Sequence, residues 1–179
     1  MSTKRLFIGV ELDEFSRNIL GSLGPVVQGG QPTPIDQLHL TIRFIGEVEG
    51  TLFKDIAEAL RSVSFQPFPL TIEGVGHFPP RGKPKVLWAG IKGGGDLLLL
   101  RNHINNALFR CGIPPEKRKF HPHITLARLK STSAKRVAEF LQNYHDLETP
   151  TQSINGFTLF SSVLTQEGAI HTVEQRYRF

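Results

Sequence analysis

The tetrapeptide His39-Leu40-Thr41-Ile42 has a counterpart in His123-Ile124-Thr125-Leu126, nearly half the chain away. Each copy reads His, apolar, Thr, apolar within a run of β-forming residues. Side chains alternate between the two faces of a strand, so His39 and Thr41 share one face and Leu40 and Ile42 the other. His123 and Thr125 are placed the same way. A fold for this chain must therefore accommodate two strands that each bury one side and present an imidazole and a hydroxyl on the other.

The surrounding pattern repeats too. Residues 5 to 11 read as a first strand, and Asp13 can cap a helix whose apolar residues are Phe15, Ile19 and Leu23. A loop containing Gly29, Gly30, Pro32 and Pro34 leads into the first motif strand, about residues 37 to 45, which Gly46 is expected to stop. A helix with Phe53, Ile56, Ala57, Leu60 and Val63 on one face follows, then strands at 68–75 and 86–91. Gly93-Gly94-Gly95 lacks the Gly-Lys-Ser/Thr ending of a phosphate-binding loop and reads as a turn. Asp96 can cap a third helix, where Leu97, Leu100, Ile104, Leu108 and Cys111 form a stripe. The run Leu97 to Leu100 suggests that much of its surface is buried. The second motif strand spans about 121–129, a fourth helix carries Val137, Phe140, Leu141 and Tyr144, and strands near 153–163 and 169–177 close the chain.

Both halves thus follow the order helix, motif strand, helix, two strands. The expected architecture is α+β: a duplicated unit in which two antiparallel sheets face each other across a pseudo-two-fold cleft, helices outside. A single domain, 1–179, would comprise two lobes, about 1–92 and 93–179, with strands exchanged between them. That symmetry brings the two histidines to the floor of one cleft.

Histidine titrates nearer neutrality than any other side chain, so one imidazole can donate a proton while another accepts one. Placed on opposite sides of a phosphorus, such a pair supports in-line displacement. The neighbouring threonines can donate to the non-bridging oxygens as charge grows there. This chemistry needs no metal, and His121 and His123 have no carboxylate or cysteine partner at ligand spacing, so no metal or other cofactor is expected. The formal net charge is +5, with basic clusters at Arg81–Lys85 and Lys117–Lys119, the second beside His121. Their position favours RNA or a phosphate as partner. His77, His103, His145 and His171 read as structural or solvated, and Trp88 as core.

No apolar run approaches the ~20 residues that span a bilayer. The N-terminus moves straight into a strand without a leader-like segment, and Cys111 is the only cysteine, which rules out an internal disulfide. A cytoplasmic monomer without membrane contact is the expectation.

The stretches Arg5-Leu6-Phe7-Ile8, Leu38-His39-Leu40-Thr41-Ile42-Arg43-Phe44-Ile45-Gly46, Val86-Leu87-Trp88-Ala89-Gly90, Phe120-His121-Pro122-His123-Ile124-Thr125-Leu126-Ala127-Arg128 and Phe157-Thr158-Leu159-Phe160-Ser161-Ser162 resemble the two-histidine (2H) phosphoesterases. Within them the chain is similar to the RNA 2′,3′-cyclic phosphodiesterases, also known as 2′–5′ RNA ligases. The resemblance implies opening of an RNA 2′,3′-cyclic phosphate to a 2′-phosphate. It implies that His39 protonates the departing O3′, that His123 activates water, and that Thr41 and Thr125 hold the phosphate. An RNA 5′-hydroxyl in place of water would give a 2′–5′ linkage. A binding module of the same fold, or an enzyme acting on another small cyclic nucleotide, are the alternatives.

Phe44 and Arg128 each lie five residues beyond a motif histidine, where a ring and a guanidinium could clamp a nucleobase. Strict alternation turns both away from the histidine face. Either a strand end, a twist or a bulge restores them, or Phe44 is core. Alternation puts Arg43 on the His39 face, as a second candidate for the phosphate.

Overall fold

The computed structural model describes residues 2–179. In chain order it contains β1 (Thr3–Glu11), α1 (Glu14–Leu23), β2 (Gly30–Pro32), β3 (His39–Glu49), α2 (Gly50–Leu60), β4 (Phe68–Leu70), β5 (Ile72–Phe78) and β6 (Val86–Ile91). α3 (Gly95–Arg110), β7 (His123–Leu129), α4 (Ala134–Tyr144), β8 (Gln152–Ile154), β9 (Gly156–Thr165) and β10 (Gly168–Arg178) follow. The class is α+β with two antiparallel sheets. One is eight-stranded, in the order β10-β9-β1-β3-β7-β6-β5 with β2 also on β7, and the other is the pair β4-β8.

The large sheet is continuous at its middle through one residue pair, Leu40↔Ile124, where β3 meets β7. On one side of that junction β1 and β3 combine with β9 and β10 from the far end of the chain; on the other, β7 combines with β5, β6 and β2. Helices α2 and α3 pack on the first group, against β1 and β3, while α1 touches β7 and α4 touches β5. No helix is long and apolar enough to cross a membrane among the described residues.

Period-two alternation drives the packing. Leu6, Ile8, Leu40, Ile42, Leu87, Ala89, Ile124 and Leu126 are all buried in one core with Ile56, Leu60, Leu97, Leu100 and Ile104 of the helices. Each of these leucines and isoleucines contributes about 1.5–3 kcal/mol relative to exposure. Because these residues take one face of the strands, His39, Thr41, His123 and Thr125 are left on the other.

Local expectations fail where tertiary contacts override period. Asp13 caps α1, accepting from the Ser16 N–H at 2.7 Å, but the buried residues are Ser16, Leu20 and Leu23, with Phe15 58% exposed. Buried Gln152 of β8 sets that rotation: its amide oxygen accepts from the Asp13 N–H and its NH₂ donates to Ser16 Oγ. In α3 the helical period divides the leucine run, burying Leu97 and Leu100 and leaving Leu98 and Leu99 exposed. Gly94 rather than Asp96 occupies the N-cap. The expected strands at 68–75 and 153–163 are each split between the two sheets, and residues 30–32 of the expected loop form β2. β3 does not stop at Gly46, which adopts φ +94° inside the strand.

The segment leading to the second motif is anchored to β3 by charge. Arg101 of α3 donates through Nε to the Ile42 carbonyl (3.2 Å), meets Glu116 at 3.2 Å, and lies 4.9 Å from the Phe120 ring centroid. Arg43 meets the same carboxylate at 3.5 Å and donates to the Pro114 carbonyl. Glu116 is the one carboxylate serving two buried guanidiniums. Removing one partner of a fully buried pair costs about 3–5 kcal/mol; since Glu116 keeps 28% of its side-chain exposure, Glu116→Gln is expected to cost about 2–3 kcal/mol. Urea unfolding checks this: an unchanged midpoint would show that the pairs contribute nothing.

Candidate active site

Each motif strand carries a β-bulge at the same place. Between the pairs Gly9↔Thr41 and Ile8↔Arg43, Ile42 has no partner on β1. Between Trp88↔Thr125 and Leu87↔Ala127, Leu126 has none on β6. A bulge opposes two residues to one and resets the alternation beyond it. Arg43 pairs with core-facing Ile8 and is 3% exposed, in contact with Pro114 and Glu116. The expectation that Arg43 shares the His39 face is therefore corrected. Phe44 instead pairs with Phe7, joins the histidine face with its ring 6.0 Å from that of Phe7, and is 56% exposed. Arg128 pairs with Val86 on the equivalent face of the other group, also exposed.

Leu40↔Ile124 brings the two motifs together. In that antiparallel register His39 falls opposite Thr125 and His123 opposite Thr41. The two imidazoles are near enough for charge on His123 to depress the affinity of His39 for a proton.

Both rings are oriented identically. Nδ1 of His39 bonds to the Gln37 carbonyl at 2.8 Å, and Nδ1 of His123 to the His121 carbonyl at 2.7 Å. A carbonyl can only accept, so Nδ1 carries hydrogen in both rings and Nε2 is the nitrogen free to exchange a proton. Nε2 of His39 lies 3.0 Å from Thr41 Oγ1. Burial is the main cause that lowers both pKa values below 6.5, opposed by the backbone acceptors.

Aromatic rings enclose each histidine. His39 is flanked by Phe7 at 4.9 Å, Phe160 at 5.8 Å and His171 at 4.9 Å, the last edge-on. Phe7 and Phe160 are buried, yet they stand outside the helix-side core because they face the site. Around His123 lie Phe78 at 4.9 Å, Trp88 at 6.3 Å and His121 at 6.3 Å. Glycines on adjacent strands make room for these rings. A Cβ on Gly9 would come within 2.9 Å of the Leu40 carbonyl and 3.5 Å of the His39 ring, and one on Gly76 would collide with the Trp88 indole.

Trp88 therefore belongs to the site face and not to the core. His171, on the edge strand β10, is half-buried against His39 and not solvated, and burial together with the charges of His39 and Arg128 pushes its pKa down to about 4. Neither position carries a local signal; both become visible only with the strand order. A cavity of about 180 Å³ opens beside His39, lined by Glu11, Arg17, Asp36, Gln37 and His171 among others. Glu11 is paired bidentately with Arg176 at 2.8 and 2.9 Å, which holds its carboxyl below the ordinary range. Among the described residues no three metal-binding side chains converge.

Residues 27–162 match the model of the 2′-5′ RNA ligase superfamily. An RNA 2′,3′-cyclic phosphodiesterase of Archaeoglobus fulgidus is 35% identical over 93% of this chain and 96% of its own. One from Aeropyrum pernix is 36% identical over 76% and 78% respectively. The crystal structure of Thermus thermophilus TT0787 superimposes with a TM-score of 0.80 at 29% identity, covering 97% of both chains.

The depressed imidazoles tie stability to pH. For a histidine whose folded pKa is lowered, the unfolded chain binds more protons, so stability is full above about pH 6.5 and is lost as pH falls through that value. For His171 the loss continues to about pH 4. The low-held carboxylates Glu11 and Glu174 add to it only below their ordinary 4.5. The melting temperature is expected to fall between pH 6.5 and 4.5, less steeply in His171→Phe; a flat wild-type profile there contradicts the assignment.

Proposed function

The chain belongs to the 2′-5′ RNA ligase superfamily, and we propose that it hydrolyses RNA 2′,3′-cyclic phosphate ends to 2′-phosphates by two-histidine acid–base catalysis without a metal. The observation that carries this reading is the pair of imidazoles with Nδ1 fixed on backbone carbonyls, each in register with the other motif's threonine. Such a pair has one exchangeable nitrogen apiece.

His39 acts as the acid and His123 as the base. Nε2 of His123 takes a proton from water, the oxygen attacks phosphorus, and the P–O3′ bond breaks as Nε2 of His39 delivers its proton to O3′. The proton gained by His123 and the one lost by His39 balance, and the product keeps its phosphate on O2′. Thr41 and Thr125 donate to the non-bridging oxygens. With an RNA 5′-hydroxyl in the place of water, the same transfers form a 2′–5′ phosphodiester. Phe44 and Arg128, brought to the histidine face by matched bulges, hold the terminal nucleotide from opposite sides. The whole chain works as a single unit of two lobes, monomeric and cytoplasmic.

A short RNA with a 2′,3′-cyclic end, incubated in chelator, is expected to yield a 2′-phosphate. His39→Ala and His123→Ala should each lose about 10²- to 10⁴-fold in kcat/KM; near-full activity in either, or inhibition by the chelator, refutes the mechanism. Base stacking contributes about 1–3 kcal/mol, so Phe44→Ala should raise KM for RNA about fivefold or more while kcat and melting temperature hold. A variant with wild-type KM removes Phe44 from the site.

A further inference from the structure

Besides His39 and His123, the imidazole of His171 borders the β3 side of the cleft, and the mechanism above gives it no work. His171 differs from both. Its backbone is held firmly: the His171 N–H donates to Gln37 Oε1 at 2.6 Å, and the Gln37 amide donates back to the His171 carbonyl at 3.4 Å. Gln37 is also the residue whose own carbonyl orients His39. One residue thus fixes two histidines relative to each other.

The His171 side chain, by contrast, is unsatisfied. Its Nδ1 is buried with no partner, and neither ring nitrogen bonds to a protein group among the described residues. Its edge packs on His39 at 4.9 Å and on Phe7 at 4.8 Å. It lines the cavity beside His39 and lies within electrostatic range of Arg128. A buried polar group without a partner costs about 1–3 kcal/mol and calls for an explanation such as a functional role. Among the described residues, His171 is the one such group that lines the cavity beside His39. At neutral pH the ring is uncharged, so it offers one N–H donor and one lone pair without adding a third cation.

The oxygen that His39 protonates belongs to the terminal ribose, which places that ribose against the wall His171 shares with His39. We propose that His171 is a third histidine of the site, a substrate-binding residue that hydrogen-bonds the ribose-phosphate of the terminal nucleotide. The proposal rests on the functional reading above. It assigns His171 no part in proton transfer: the ring holds the substrate while Nε2 of His39 faces O3′.

The test uses adenosine 2′-monophosphate as a probe, so that binding is read without turnover. The full-length protein and the variants His171→Phe, which keeps the ring and its packing, and His171→Asn, which keeps a donor and an acceptor, are titrated calorimetrically. A neutral hydrogen bond is worth about 0.5–1.5 kcal/mol, so His171→Phe should bind about three- to tenfold more weakly and His171→Asn should recover part of the loss. With cyclic-ended RNA the same ranking should be seen in KM, with the pH profile of kcat unmoved. If His171→Phe binds the probe as the wild type does, the ring only packs and the proposal is overturned. Absence of wild-type binding also overturns it. Probe binding lost in His171→Phe, without wild-type turnover of cyclic ends, supports the contact and instead refutes the phosphodiesterase reading.

Discussion

One extra residue, inserted three positions after each histidine, decides what the site contains. Without Ile42 and Leu126 in their bulges, strict alternation would send Phe44 and Arg128 into the helix-side core and bring Arg43 and Ala127 to the cleft. A charge would then be buried under the helices and a methyl would face the substrate. The bulge also explains how each strand satisfies two demands. Its first part presents His and Thr to the cleft. Its second buries two consecutive residues, Ile42-Arg43 or Leu126-Ala127, before turning outward again. The duplication is thus clearer in backbone irregularity than in residue identity.

The two copies diverge at the buried position after the bulge, where one has Ala127 and the other Arg43. Burying a guanidinium is costly unless it is paired, and the chain meets that cost with Glu116 and the Pro114 carbonyl. The consequence reaches the site. Residues 114–120 lead directly to His121 and His123, so the ion pairs bind the approach to one motif to the strand of the other. Together with the single pair Leu40↔Ile124, they limit how far the two groups of strands can move apart. With alanine in both copies, Arg101 alone would join Glu116 to the Ile42 carbonyl beside that one backbone pair.

Much of this was legible beforehand, for physical reasons that also mark the limit. The shared face of His39 and Thr41, and that of His123 and Thr125, is readable because period-two alternation is local and holds before the bulge. The α+β class followed from the order of periodic segments. Period alone puts Arg43 on the His39 face, because a bulge of ordinary aliphatic residues leaves no trace in composition. Phe7, Phe160 and His171 could not be grouped with His39 because β1, β9 and β10 come from opposite ends of the chain, and their adjacency is a property of strand order. The buried stripe of α1 was displaced from Phe15 to Leu20 by Gln152, a contact between residues far apart in sequence.

Near-symmetry in the histidines raises the question of how one becomes acid and the other base. Desolvation lowers the proton affinity of both rings, whereas the proposed reaction starts with a proton on one of them. The substrate supplies the missing condition. In the proposed reaction a cyclic phosphate carries a negative charge, and its arrival between Thr41 and Thr125 would favour an imidazolium more strongly in a desolvated site than in water. His39 is the more enclosed of the two, with Phe7, Phe160 and His171 around it and Thr41 on Nε2. Water reaches His123 more readily, since it is the less buried ring. Enclosure suits the acid proposed at His39, which passes its proton to O3′ and not to solvent, and access suits the base proposed at His123, which activates water. Unequal burial thus separates two otherwise equivalent rings by their access to water. The proton that His39 carries in the proposed reaction has to come with the charge of the phosphate, since burial by itself disfavours it.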